Sequence, residues 1–295
     1  MNKRIFVSGS VSIDNTVFTN VMPSPGVTVK ANSYIKNIGG KGANQAVAAH
    51  LLGSDVFFYG SVGEDNEGRY ITSFLKETGL NYQLKASNKP TGQAFITINE
   101  LTGENQILIV QGANLAIKSE DYDFLIKTMK TCGIFLTQLE SPIASIVYSI
   151  KLAKRLGLLT ILNPAPYNEL PEDIFRYIDY FVPNEHELEQ FVPEGSIEEK
   201  AKFLLSKGIK NVIVTLGEKG SMLINKENVV HVEPCKVSAI DTTAAGDSYL
   251  GALVTALSKD IGIIDAMKFA SKCSSITVTR KGAIQSLPTI DEINN

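Results

Sequence analysis

Histidine, cysteine and tryptophan are scarce in this chain of 295 residues, which has three His, three Cys and no Trp. Cys132, Cys235 and Cys273 are odd in number, far apart and without a C-x-x-C pair, so neither a disulfide framework nor a cysteine zinc site is expected. The absence of H-E-x-x-H and of G-x-S-x-G removes the metallopeptidase and serine-hydrolase classes. His186 has no partner among His50 and His231 and is read as neither metal ligand nor base. No stretch approaches the roughly 18 apolar residues of a membrane span. The first apolar run, Ile5 to Val7, is too short for a signal-peptide core, so a cytoplasmic protein is expected. Charge of one sign is missing too. With 28 basic and 31 acidic residues, a net charge of −3 gives no field for a nucleic-acid backbone. Any phosphate must be held locally.

What is present is core material. Hydrophobic residues make up 44% of the chain, enough for one large α/β domain or for a domain with an accessory piece. Arg4 to Gly9 reads as a buried strand ending at a glycine. Helical spacing follows over Ala43–Leu52 and Glu67–Glu77, and Asp55–Gly60 is a short strand between them. The alternation resumes with strands at 134–137, 158–162, 180–182 and 211–215 and helices near 144–156 and 197–207. This order implies a doubly wound, mostly parallel sheet flanked by helices. Two segments break the rhythm. Residues 15–36 are β-like without helical period, and residues 92–111 alternate as a hairpin turning at Thr102-Gly103. They are read as a small projecting β-sheet, a lid inserted in two pieces into a single domain spanning 1–295. The alternative is that they are edge strands of the main sheet.

Two loops carry the chemistry. In Asp241-Thr242-Thr243-Ala244-Ala245-Gly246-Asp247, small residues precede a long helix, so the N–H groups of Ala245, Gly246 and Asp247 are expected to converge on an anion at the positive end of the helix dipole. A carboxylate there has a use if it accepts a proton from a hydroxyl attacking a phosphoryl group; otherwise Asp247 is a helix cap. The second loop, Gly39-Gly40-Lys41-Gly42-Ala43-Asn44-Gln45, is not a Walker A motif, because Gly42 follows Lys41. Its glycines permit close backbone approach, and Lys41 and Asn44 supply donors suited to sugar hydroxyls, unless the loop is only a tight turn into the helix. Asp14, Glu140, Asn163, Asn184 and Glu187 end strands, where ligands of open α/β sheets bind. No G-x-G-x-x-G follows the first strand, which argues against a Rossmann oxidoreductase.

These motifs, with Gln138-Leu139-Glu140-Ser141, Asn163-Pro164-Ala165-Pro166, Pro183-Asn184-Glu185, Thr215-Leu216-Gly217 and Val278-Thr279-Arg280-Lys281-Gly282-Ala283, occur in one order along the whole chain. In that order the sequence resembles the ribokinase-like family of ATP-dependent carbohydrate kinases. The resemblance implies a kinase that phosphorylates the primary 5-hydroxyl of a pentose. It makes Asp247 the general base and the backbone of Ala244, Ala245, Gly246 and Asp247 the anion hole. It assigns the sugar to Ser12, Ile13, Asp14, Gly40, Lys41, Gly42, Ala43, Asn44 and Glu140. It assigns ATP to Asn184, Thr215, Leu216, Gly217, Glu218, Lys219, Gly220 and Gly246, with Glu187 organising Mg²⁺. It also implies an activating K⁺ near Asp241, the backbone of Thr243, Thr277, the backbones of Arg280 and Gly282, and Ser286.

One position departs from the pattern. Ribose-phosphorylating members carry Asn two residues before the sugar-binding Asp, and this chain has Ser12. The shorter side chain removes an amide donor and acceptor facing the sugar. D-ribose is the first expectation and 2-deoxyribose the alternative, with a non-catalytic sugar-binding relative as the rival class. Val17, Phe18, Val27, Val29, Phe95, Ile96, Ile98, Ile107 and Ile109 give the lid an apolar face that a second copy would cover, so a homodimer is expected.

Overall fold

The computed structural model describes residues 3–294. Alternate residues of the first strand, β1 (Arg4–Ser8), point to opposite faces of a sheet, and both faces are buried. Ile5 and Val7 enter one apolar layer and Phe6 the other, as Ile134 and Leu136 against Phe135 do on a neighbouring strand. A strand buried on both sides needs helices on both sides.

In chain order the elements are β1, β2 (Ser12–Thr19), β3 (Ser33–Gly39), α1 (Lys41–Leu51), β4 (Val56–Gly63), α2 (Asn66–Thr78), β5 (Asn81–Ser87), β6 (Gly92–Asn99), β7 (Asn105–Val110), α3 (Asp121–Met129), β8 (Cys132–Thr137), α4 (Ile143–Arg155), β9 (Leu159–Leu162), β10 (Tyr180–Phe181), α5 (Glu185–Phe191), α6 (Ile197–Ser206), β11 (Asn211–Thr215), β12 (Ser221–Asn225), β13 (Val229–Val232), α7 (Ala245–Ser258), α8 (Ile263–Thr277) and α9 (Ile290–Asn294). The large sheet runs β13-β12-β11-β10-β9-β8-β1-β4-β5. Its strands pair in parallel except at β12, which is antiparallel to both neighbours and closes the sheet as a hairpin edge. The chain leaves β1 toward β4 and β5, then returns to β8 on the other side of β1. Strand order reverses there, and the crevice beyond the carboxyl ends of β1 and β8 is where such sheets bind ligands.

The segments that broke the rhythm form a separate sheet of order β3-β2-β6-β7, which removes the edge-strand alternative. β2 pairs in parallel with β6 from Ser12↔Gly92 to Thr19↔Asn99, and the hairpin between β6 and β7 has Gly103 at φ 74°. Val27 and Val29 lie in the connection between β2 and β3, not on a strand. The sequence pattern did not mark β5, β12, β13, α3, α5 or α8. No helix among the described residues is long and apolar enough to cross a membrane.

Candidate active site

The glycine loop starts α1 in a way only glycine allows. Gly40 caps the helix at φ 91°, and a Cβ there would sit 2.7 Å from the Cα of Val11. The helix therefore begins pressed against the end of β1. The Glu140 carboxylate, just after β8, accepts the Lys41 N–H at 3.1 Å and the Ser10 hydroxyl. It thereby joins the two strand ends that flank the reversal point to the start of α1.

The other wall is the first turn of α7. Ala244 precedes it in the left-handed conformation, φ 59°, which costs an alanine about 1–2 kcal/mol. Of the three amides expected to converge, that of Ala245 donates to the Thr242 carbonyl at 3.2 Å. Gly246 and Asp247 supply first-turn N–H groups that have no acceptor within the helix. Asp247 is 7% exposed, and each carboxylate oxygen accepts one amide: Oδ2 from Asn44 at 2.8 Å and Oδ1 from Gln45 at 2.9 Å. Asn44 is thus buried, not on a solvated face, and its own Oδ1 has no partner. A buried acceptor left open is costly, by about 1–3 kcal/mol, unless a ligand hydroxyl or water supplies the hydrogen.

Lys41, Asn163, Asn184, Glu187, Thr215, Thr242 and the Ala244–Asp247 turn line one cavity of about 200 Å³. Lys41 is half-buried there. Burial pulls its ammonium down, but Asp247, Glu140 and Glu187 together outweigh it and hold the pKa above the usual lysine value. Burial pushes the Glu187 carboxyl up against the opposing effects of the Asn184 N–H and of Lys41. Burial likewise raises Asp14 to about 6; the Ser12 hydroxyl, donating at 3.1 Å, opposes this, while Glu140 and Asp247 add to it. Three carboxylates facing one lysine, with Asp14 near two of them, suit a ligand rich in hydroxyl donors and an incoming cation.

Residues 2–290 match the family described as pfkB family carbohydrate kinase. The chain is a pfkB-family carbohydrate kinase. It is 37% identical over 303 residues to the ribokinase of Staphylococcus aureus (strain COL), covering 100% of this chain and 99% of the relative. It is also 37% identical over 298 residues to a deoxyribokinase of Salmonella typhi, covering 98% and 97% of the two chains. Among solved structures, Arabidopsis thaliana ribokinase complexed with ribose and ATP superposes with a TM-score of 0.91 at 30% identity, covering 100% and 98%.

In this carbohydrate kinase Lys41 of the glycine loop, the α7 turn, Asn184, Glu187 and Thr215 line one cavity along the carboxyl ends of the large sheet. Asn184 and Glu187 form a reciprocal cap on α5: the Asn184 side chain accepts the Glu187 N–H at 2.7 Å, and Glu187 Oε2 accepts the Asn184 N–H at 2.9 Å. Of the 215–220 segment only Thr215 lines the cavity; Leu216 is buried, and Gly217, Glu218, Lys219 and Gly220 form the turn from β11 into β12. Asp241 accepts the Thr243 and Gly282 N–H groups, both at 2.9 Å, and so ties the loop before α7 to the loop after α8. Arg280 turns its guanidinium to Glu292 at 2.6 Å. The Thr277 and Ser286 hydroxyls donate within the protein, to Ser248 and Ala283. Two residues of the kinase site had no assigned role in the sequence reading: Gln45 and Gln138, which join Asp247 in one buried polar cluster. Both stood inside quoted motifs, but nothing in their spacing distinguished a buried amide from a solvated one.

Proposed function

We propose that this kinase transfers the γ-phosphoryl group of ATP to the primary 5-hydroxyl of a pentose, D-ribose first, with Asp247 as general base. One observation carries the reading. The Asp247 carboxylate sits at the N-terminus of α7, held by Asn44 and Gln45, in the cavity that Lys41 and the Gly246 turn also line. A hydroxyl donating to Asp247 Oδ2 loses its proton to that carboxylate. Its oxygen bonds to the γ-phosphorus as the bond to the ADP oxygen breaks. The Gly246 and Asp247 amides and the helix dipole meet the charge on the equatorial oxygens.

Asn184, Thr215 and the 216–220 turn are the ATP side. Glu187 fits Mg²⁺: one oxygen is committed to the Asn184 N–H, and a cation would relieve a carboxylate made costly by burial. Mg²⁺ supplies charge neutralisation of the β- and γ-phosphates. Asp241, the backbones of Thr243, Arg280 and Gly282, and the elements carrying Thr277 and Ser286 fit K⁺. Asp241 already draws the two loops together, and the Arg280 charge is directed to Glu292. Turnover is expected to fall in K⁺-free buffer. The small sheet is the lid and one of its faces the seam of a homodimer, supported by Tyr34, Phe95, Leu108 and Val110, which share that face at 47–72% exposure.

Ser12 favours a second reading, 2-deoxyribose. Its hydroxyl is directed to Asp14 and replaces an amide that would meet a sugar hydroxyl. Comparing kcat/KM for ribose, 2-deoxyribose and other pentoses decides between them. A tenfold or greater preference for another sugar overturns ribose, and no sugar-dependent ADP release with any pentose, hexose or nucleoside overturns the kinase reading of this site.

A further inference from the structure

The base has only one oxygen to offer a substrate, and the reason lies in two glutamines. Asp247 Oδ1 accepts Gln45 Nε2 at 2.9 Å, while the second hydrogen of that amide goes to Asn163 Oδ1 at 3.1 Å. The Gln45 carbonyl oxygen in turn accepts Gln138 Nε2 at 2.6 Å. Gln45 and Gln138 are 0% and 1% exposed, so no water competes for these groups. An ionised carboxylate only accepts, so Gln45 must turn its NH₂ to Asp247, and Gln138 holds it that way by donating to the other end of the amide. Gly9 makes room for this arrangement, since a Cβ there would stand 1.9 Å from Gln138 Oε1.

We propose that Gln45 is the positioning residue of the general base, its amide direction set by Gln138; this rests on Asp247 being the base. With Oδ1 tethered, the carboxylate plane cannot rotate about its side-chain bond. Oδ2 then keeps one lone pair beside the Asn44 amide for the incoming hydroxyl. Gln45 and Gln138 are fully buried and outside the cavity lining, so they touch no substrate. Their loss therefore lowers kcat and leaves the sugar and ATP KM nearly unchanged, a split that a packing role does not produce.

The experiment measures kcat and both KM values, with ribose and ATP as probes, for Gln45→Met, Gln138→Glu, their double variant and Asp247→Asn. Gln138→Glu conserves volume and sets an acceptor against the Gln45 carbonyl, so the Gln45 amide is drawn between acceptors at both ends and no longer holds Asp247 in one orientation. It reports the effect even where Gln45→Met fails to fold. The expected result is a kcat fall of at least about tenfold in each single variant, KM within about twofold, and a double variant no worse than Gln45→Met. Single variants with kcat within twofold of the parent, beside an inactive Asp247→Asn, overturn the positioning role and leave the base intact. An Asp247→Asn enzyme with parental turnover overturns the base and the positioning together.

Discussion

The two sheets of this kinase spend their hydrogen bonds and apolar surface in opposite ways. At the reversal point of the large sheet, polar groups are buried and interlocked: Asp247, Asn44, Gln45, Gln138 and Asn163 form one cluster that little water reaches. The small sheet inverts this. β7 is exposed along its whole length, with Leu108 at 72% and Ile109 at 57%. Buried polar groups fix geometry because each unmade bond is costly, whereas exposed apolar groups are indifferent to direction and only require cover. Chemistry that depends on tenths of an ångström belongs to the first kind of region, and closing or docking to the second.

The largest test of that contrast is Asp247→Asn. It retains the side chain's volume and removes the carboxylate proposed as proton acceptor, so turnover should fall about 10²–10⁴-fold while sugar and ATP still bind, as read by ADP release and calorimetry. The small sheet is broken by Leu108→Asp. A charge on the exposed face should convert a dimer to a monomer in light scattering, with circular dichroism unchanged; a dimer that persists would assign the seam elsewhere.

The pH dependence sharpens the comparison, because Asp14 lies at the junction of the two sheets, on β2. Burial raises it to about 6. Below that pH it is protonated and, in the proposed sugar site, loses an acceptor, so kcat/KM for the sugar should drop as pH falls through about 6. Stability moves the other way. A carboxyl with a raised folded pKa binds its proton more tightly folded than unfolded, so its destabilising effect is present above about 6 and is relieved as pH falls toward 4. Asp14→Asn should therefore flatten the acid limb of kcat/KM and raise the melting temperature at pH 7. The smallest effect is expected from Lys36→Ala. Lys36 on β3 meets Glu67 on α2 at 2.9 Å and ties the small sheet to the body through a half-exposed ion pair. Such pairs contribute about 0.2–1 kcal/mol, so sugar KM should change by less than about fivefold with kcat retained.

The motif-bearing loops were readable because their local chemistry is self-declaring. Glycine at 40 and small residues before α7 are needed by the backbone itself, and the apolar strands β1 and β8 announce burial on both faces. The hairpin of β6 and β7 was visible from its alternation and its Thr102-Gly103 turn. Among the elements that escaped, α3, α5 and the edge hairpin of β12 and β13 have weak or short patterns. Among the site residues, Asn44 and Asp247 belonged to the two recognisable loops, while Asp14 lies within β2. The 216–220 turn shows the limit: only Thr215 reaches the cavity, a distinction that depends on where β11 ends against the bridge to Asn184.

By itself the sequence determined the fold class, the two loops at the strand ends and the carboxylate at a helix start, since these follow from periodicity, glycine placement and helix polarity. Only the tertiary structure decided that Asn44 and Gln45 grip the two oxygens of Asp247, a residue about 200 positions away in the chain. It also decided that Gln138 sets the direction of that grip. The physical reason is that an amide's role depends on which partner meets which end. That is fixed by packing across the sheet, and no local pattern encodes it.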